Sequence, residues 1–533
     1  MSQTLSNDAR FIAGVECPHF FPGKTGPVIK ILLYTDDPVD IKDDLTSDFN
    51  LGVMLRHIEA HAPAFASLCF KLVSRNSTVN NHADNRLDAL IQNGGFDQIW
   101  FFGLHQGNRE NFSIGILRGG PHSELEPEEV QALKTWMEIG NREGQRGGGV
   151  LMTGDHAEPR PPDAIEQSGG AGVDQFWGLG RAIGARVPRA GQLRQFVGPP
   201  SRQSLDSQNT QVLVLGTNFD EPLLQFDPVP QRLILQNFDT NGQPSETGQP
   251  HPLFFYRPQS FIQVYPDHMH EGTVVIPSQQ QLSDPEVWPN VEIVSPHVIA
   301  RGTDNSKRKV VDLIAAYDGD QAGVGRIVAD STWHHYFNVN LNRFEPPGEL
   351  NSATDQIGTF YGNLTLWLTP IAKRREMADA MISWVANRPA MLEERVLEEL
   401  SDDESAGMLM NLGRKAYEAC SQVASACEIH ELLNMLMPAN VRNKLGTVSF
   451  PERGFSVGSF DSGEVLLPSK QLLLGSLTNS YHRRAAQAES SGAGLQLDSM
   501  EAADNGFELA LRVQHTHVAR LAAASANWFN FNS

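Results

Sequence analysis

The chain has 533 residues, of which 40% are hydrophobic and 20% charged. This ordinary globular composition excludes disorder over most of the length, and the length implies two or three domains. Against 63 acidic residues stand 42 basic ones, a net charge of −21, so the long-range field repels nucleic acid and anionic membranes and neither is expected as a partner.

Residues 28–35 (VIKILLYT) form an apolar run ending in Asp36, Asp37 and Pro38, the pattern of a buried strand that emerges into a polar loop. A helix is expected around 46–60, a second strand over 66–74 (ASLCFKLVS) and a third over 96–103 (FDQIWFFG), followed by a loop that holds His105. The clearest helix is 127–139. Pro127 suits a first helical position, Glu128 and Glu129 complement the positive dipole end, Gly140 can close the C-terminus, and Val130, Leu133 and Met137 make the inner face. Gly147, Gly148 and Gly149 then lead into a short strand and a tight polar turn at Gly154, Asp155 and His156. Strands alternating with helices at this spacing argue for right-handed crossovers and a mostly parallel sheet flanked by helices.

Residues 157–260, rich in Pro, Gly, Gln and Asn, read as a large insertion with some strand content. Within it Arg181, Arg186, Arg189, Arg194 and Arg202 read as a solvated loop, the alternative being a basic patch that faces an anionic ligand. Strand signals return at 261–276, 308–317 and 323–331. The segment 351–388 is helical in pattern, with Met377, Met381, Trp384 and Val385 on one face. Helical segments at 391–405 and 409–437 precede a strand-like region at 448–475, a linker near 488–505 and a last helix at 506–525. The expected organisation is an extension (1–27), an α/β domain (28–345), a helical segment (346–446) and a C-terminal mixed strand and helix module (447–533).

Cys17, Cys69, Cys420 and Cys427 show no CxxC spacing and no disulfide framework, which fits a reducing compartment. If Cys420 and Cys427 share one helix they stand about 10 Å apart, beyond disulfide reach, and are core residues. The N-terminus has no basic segment leading into an apolar run, and no stretch of about 18 apolar residues occurs. A cytoplasmic protein is expected.

In an open parallel sheet, ligands bind outside the carboxyl ends of the strands. The first strand ends in Asp36 and Asp37, the third in His105, the fourth in Asp155 and His156, and a late strand in Asp330 through His334 and His335. If these strands are parallel the groups gather at one edge. Asp36, Asp37, Asp155, His156, His334 and His335 are therefore the candidate catalytic residues, because a carboxylate and an imidazole in one pocket are the minimum kit for activating water. Each has a structural alternative: an Asp before Pro starts turns, and His334 and His335, if extended, face opposite sides, so one of them is structural. In YPDHMHEG, His268 and His270 are spaced to present both imidazoles to one side of an extended segment. With Asp267 or Glu271 they make a two-His, one-carboxylate set suited to a divalent metal cofactor, zinc or iron.

The third-strand run FDQIWFFG, the helix EPEEVQALKTWMEIG and the glycine-led GGGVLMTGDHA resemble the class I glutamine amidotransferase-like superfamily, particularly its ThuA-like and PfpI-like branches. The resemblance covers roughly residues 28–340. It implies a flavodoxin-like sheet and, in hydrolytic members, a cysteine at a nucleophile elbow after the fourth strand. Here Asp155 stands in that place and His156 follows it. A carboxylate is a poor substitute for a thiolate in amide cleavage, so glutaminase activity is not expected. Two readings follow. One is a degenerate amidotransferase-like binding or assembly protein, with a small-molecule ligand at the carboxyl edge and self-association or a protein partner through the C-terminal module. The other is a hydrolase, metal-dependent in one form, using Asp155 and His156 with His334 and His335.

Overall fold

The structure, a computed structural model, describes residues 10–12, 15–35, 41, 50–75, 82–102, 113–114, 117–118, 125–140, 144–157, 176–178, 194–195, 211–213, 224–226, 231–239, 242–246, 248–257, 260–266, 273–274, 276, 294–304, 309–331, 333–341, 352–392, 402–436 and 462–491. Among these residues the organising element is a ten-stranded sheet. Its strands are β1 (His19–Phe21), β2 (Val28–Thr35), β3 (Ser67–Ser74), β4 (Gln98–Phe102), β5 (Gly149–Ala157), β6 (Phe176–Gly178), β7 (Ile234–Leu235), β8 (His297–Asp304), β9 (Lys309–Tyr317) and β10 (Ile327–Asp330). Five of them, β3-β2-β4-β5-β10 in spatial order, run parallel, so by chain position the order is second, first, third, fourth, fifth. Antiparallel strands close both flanks, with β1 beside β3 and the series β9, β8, β7 beyond β10.

The sheet is buried on both faces, which is why its strands read as continuous apolar runs. Period-two alternation divides the side chains between two cores. Leu32, Tyr34, Ile99, Phe101, Val150, Met152, Ile327 and Ala329 join one cluster, covered by α2 (Leu87–Gly94) and α3 (Pro127–Met137). Ile31, Leu33, Trp100, Phe102, Leu151 and Val328 join the other. That second face is covered by α1 (Gly52–Ala60), α4 (Ser352–Trp367), α5 (Ile371–Ala386), α6 (Asp402–Ser421), α7 (Ala426–Leu436) and α8 (Ser462–Ser491).

Several expectations change here. Helix α3 ends at Met137 instead of running to Ile139, because Glu138 is extended and pairs with Val324, while Ile139 pairs with Arg146. The glycines before β5 serve packing. A Cβ on Gly148 would lie 2.2 Å from the Trp136 ring, and one on Gly149 would lie 1.9 Å from the Leu368 carbonyl oxygen, so only glycine admits α3 and the end of α4 this close. Gly154, Asp155 and His156 belong to the strand β5 and not to a tight turn, since β6 pairs antiparallel with it from Gly154 to Ala157. His334 and His335 lie in a 3-10 turn, Trp333–Tyr336, so the opposite-sides argument for a strand does not apply to them.

The region expected as strand-like over 448–475 is helical from Ser462 onward, as is the part of the expected linker up to Ser491. A Leu-rich run has no strand or helix period of its own. Here Leu473, Leu474, Leu477 and Tyr481 are buried at helical spacing, and α8 crosses α6 where Gly475 and Gly413 meet backbone to backbone. The apolar stripe of α5 is used internally: Met377, Met381 and Val385 are fully buried in the core shared with the sheet.

The C-terminal helices are tied to the amino edge of the sheet by buried charge. Arg326, just before β10, meets Asp318 and Asp320 at 2.9 Å each and Glu431 at 2.6 Å, and its guanidinium lies over the Trp367 ring. Arg374 pairs with the same Asp320 and with Glu431 (3.5 Å), and donates to the Thr369 carbonyl (2.8 Å). Glu428 accepts from the backbone N–H groups of Ala64 and Phe65, both at 2.8 Å, in the turn before β3.

The absence of a disulfide framework is corrected as well: Cys17 and Cys69 are joined across 52 positions. Antiparallel pairing sets Phe20 opposite Cys69 and carries Cys17 alongside it, a proximity that spacing in the sequence cannot reveal. Cys420 and Cys427 are buried thiols on α6 and α7, not on one helix. Among the described residues no helix is long and apolar enough to cross a membrane.

Candidate functional site

At the carboxyl ends of the parallel strands a buried polar centre is built on the last residue of β10. Asp330 is 1% exposed and faces Thr153 of β5 in register. The backbone N–H of Ser331 then bonds the Leu313 carbonyl, and the chain turns into the 3-10 segment that returns an imidazole to the carboxylate. His335, 0% exposed, places Nδ1 at 2.7 Å from Asp330 Oδ1. The second carboxylate oxygen accepts from the hydroxyls of Tyr265 (2.6 Å) and Tyr336 (2.9 Å). Tyr361 of α4 donates to the His335 carbonyl, and the Tyr265 ring stands edge-on to the imidazole at 4.6 Å between centroids.

The Asp330 carboxylate lies within hydrogen-bond distance of the imidazole and so fixes the orientation of the His335 ring. This is how an orienting carboxylate prepares a histidine for proton transfer or ligation. Burial, reinforced by the Asp330 charge, pushes the Tyr265 and Tyr336 hydroxyls well above the ordinary phenol range, so both remain neutral donors. The walls are aromatic. Phe102 at the end of β4 packs on Tyr336 and Phe337, and Trp333 packs on Phe337.

The helices that begin at this edge have their N-termini capped from within. In α1, Asn50 Oδ1 accepts from the Gly52 N–H (3.0 Å) and Asn338 Oδ1 from the Val53 N–H (2.9 Å). Glu129, the third residue of α3, accepts from the N–H of Glu126 (2.8 Å) and from that of Leu87 at the start of α2 (2.7 Å). It also holds both terminal nitrogens of Arg75, which follows β3.

Of the residues expected from the sequence, His335 is at the centre. Asp155 and His156 are placed by the β5 backbone two and three residues beyond Thr153, one strand from Asp330. His334 shares the 3-10 turn with His335. Nothing is described of the side chains of these three residues. Asp36 and Asp37, immediately after β2, lie outside the described residues, as do His105, the metal candidates His268 and His270, and Asp267 and Glu271. Among the described residues no group of three or more His, Cys, Asp or Glu side chains could hold a metal ion. Of the basic stretch only Arg194 is described, in a two-residue strand paired with Thr273–Val274.

The spacing from Asp330 to His335 was visible in the sequence, but the three tyrosines were not. Tyr265 is 65 positions from Asp330 and lies in a two-residue strand, Val264–Tyr265, that carries no motif. No protein-family model, curated protein or solved structure matches this chain.

Proposed function

We propose that the chain is a degenerate amidotransferase-like protein with a flavodoxin-like sheet, and that it binds a small molecule at the carboxyl edge around Asp330 and His335. The second-first-third-fourth-fifth order of the parallel strands is the flavodoxin-like order, in which ligands sit beyond the carboxyl ends. The observation that carries the reading is the 2.7 Å Asp330–His335 pair at the end of the fifth parallel strand, beside the strand that continues into Asp155 and His156. A buried carboxylate that orients an imidazole is costly in a pure scaffold and useful in a site.

The test is a thermal-shift screen of small polar molecules against the wild-type chain and against His335→Ala and Asp155→Asn. A ligand that stabilises the wild type and loses at least about tenfold in affinity in either variant, about 1.4 kcal/mol, supports the reading. Ligands that bind both variants as well as the wild type refute it.

The hydrolase reading is favoured by one feature, the 2.7 Å contact between Asp330 and His335 Nδ1, which is the orienting half of a general-base arrangement. In that reading Asp155 is the nucleophile, base or metal ligand. A panel of ester, amide and phosphoester substrates tests it: turnover that Asp155→Asn and His335→Ala leave unchanged would sink the idea.

A further inference from the structure

Helices α1 and α4 both bond to the segment that carries His335, and they cross each other on a pair of histidines. His57 is buried in the last turn of α1, and His61 follows its end. Gly358 and Gly362 of α4 admit them. A Cβ on Gly358 would lie 2.7 Å from His61 Nε2 and 3.2 Å from His57 Nδ1, and one on Gly362 would lie 2.2 Å from the His61 carbonyl oxygen. We infer that this crossing is an acid-operated release: charging His57 and His61 drives α1 and α4 apart and frees segment 333–341, so that the carboxyl-edge centre is closed at neutral pH and loosened in acid.

The crossing offers little to stabilise two cations. On α1 each imidazole has the other as a neighbour, Arg56 adds like charge, and Glu59 is exposed. Helix α4 brings one charged residue, Asp355. Its Oδ1 lies 3.7 Å from His61 Nε2, while its other oxygen accepts from the Tyr256 hydroxyl and from Arg257 at 3.3 Å. The segment Asn338–Leu341, which also packs on α1, brings no charge. On the far side of the His61 ring, Nδ1 lies 3.4 Å from the Thr359 hydroxyl. Burial pulls His57 down to about 4, with His61 and Arg56 adding to the effect and Asp355 opposing it; burial lowers His61 too, again against Asp355.

Direct contacts couple the crossing to the site. Tyr361, beside Gly362, stands 6.5 Å from the His57 ring and 5.5 Å from the Tyr336 ring, and its hydroxyl donates to the His335 carbonyl. Asn338 Oδ1 accepts from the Val53 N–H of α1 (2.9 Å), and the Asn338 N–H donates to the Asn50 carbonyl (3.0 Å). The closed crossing binds protons on its imidazoles less readily than an opened one. The stability linked to His57 is therefore full above its ordinary value of 6.5 and is lost as pH falls towards about 4. The inference rests on the carboxyl-edge reading only for its consequence, retention of a ligand at neutral pH and its release in acid.

The experiment is amide hydrogen exchange of the full chain without ligand, at pH 7 and pH 5 and constant ionic strength, corrected for the intrinsic pH dependence of exchange. In the wild type the opening equilibrium of residues 333–341 is expected to rise at least about tenfold from pH 7 to pH 5. In the double variant His57→Gln, His61→Gln the rise should be less than about twofold. No rise in the wild type overturns the inference, as does an equal rise in the double variant, which would place the titrating group elsewhere. If the double variant does not fold, exchange of the imidazole C2 hydrogens in the wild type decides. A His57 that titrates well below its ordinary value while 333–341 loosens supports the release, and a His57 that titrates at its ordinary value overturns it. Because segment 333–341 is read directly and no ligand is present, failure here is distinct from failure to find a ligand at Asp330 and His335.

Discussion

Two buried polar centres of the sheet, one around Arg326 and one around Asp330, are built in different ways. At the amino edge, Arg326 and Arg374 meet Asp318, Asp320 and Glu431 in a network of paired ions that joins the sheet to α5 and α7. At the carboxyl edge, Asp330 accepts from the Tyr265 and Tyr336 hydroxyls and meets the His335 imidazole. Ion networks between elements fix where those elements sit. A carboxylate matched to an imidazole keeps a proton in play. The first centre joins separate elements through paired ions, and the second joins a carboxylate to hydroxyls and an imidazole.

The largest effect that bears on this contrast is expected from Arg326→Met, which removes a buried guanidinium from Asp318, Asp320 and Glu431 and leaves the last two with Arg374 alone. The loss should be about 3–5 kcal/mol, read from denaturant unfolding. A loss below about 1 kcal/mol would remove the architectural role of that edge. Next comes a control that belongs to neither end. Reducing the Cys17–Cys69 bond should cost about 2–4 kcal/mol through the freed loop, and thiol titration of the unreduced, denatured chain should find only Cys420 and Cys427. Four titratable thiols would mean that the pair does not form.

At the carboxyl edge the cost is expected to be smaller. Asp330→Asn keeps the shape and removes the carboxylate that the two tyrosines and His335 share, for a loss of about 1–3 kcal/mol in the same unfolding experiment. A loss as large as that of Arg326→Met would mean that Asp330 is architectural as well. Tyr336→Phe, which removes one donor, should cost about 1 kcal/mol.

A pH dependence is expected at the amino edge. Burial raises the Glu428 carboxyl to about 7, against the lowering effect of the Ala64 and Phe65 N–H groups. The folded chain therefore keeps a proton that the unfolded chain has released. The stability linked to this proton is full below the ordinary glutamate range and is lost as pH rises through about 7, with a slope of at most about 1.4 kcal/mol per pH unit. Comparing the pH profile of Glu428→Gln with that of the wild type isolates the term. Profiles of identical slope between pH 5 and pH 8 would show that Glu428 does not titrate there.

Much of this was legible in the residues. The apolar runs at 28–35, 66–74 and 96–103 are strands because a strand buried on both faces needs no polar alternation. Pro127 and the acidic first turn of α3 mark its start correctly. Asp330 and His335 were visible as a polar cluster after a strand. Glu129 could be read only as a favourable charge on a helix dipole. Its bonds to Leu87 and Arg75 join three separate elements, and no local pattern encodes them. The Leu-rich run near 472 was misread because its burial against α6, and not its composition, selects helix over strand.

By itself the sequence determined the local terms: which segments bury their side chains, where helices begin, and which strand ends are polar. These depend on neighbours within a few positions, through periodicity, capping and turn chemistry. The tertiary structure alone decided the pairings: Cys17 with Cys69, Arg326 with Glu431, Glu129 with Arg75, and Tyr265 with Asp330. Those contacts span tens of positions or more. Their energies depend on the burial and geometry that the assembled sheet and helices impose, so they exist only once the chain has folded.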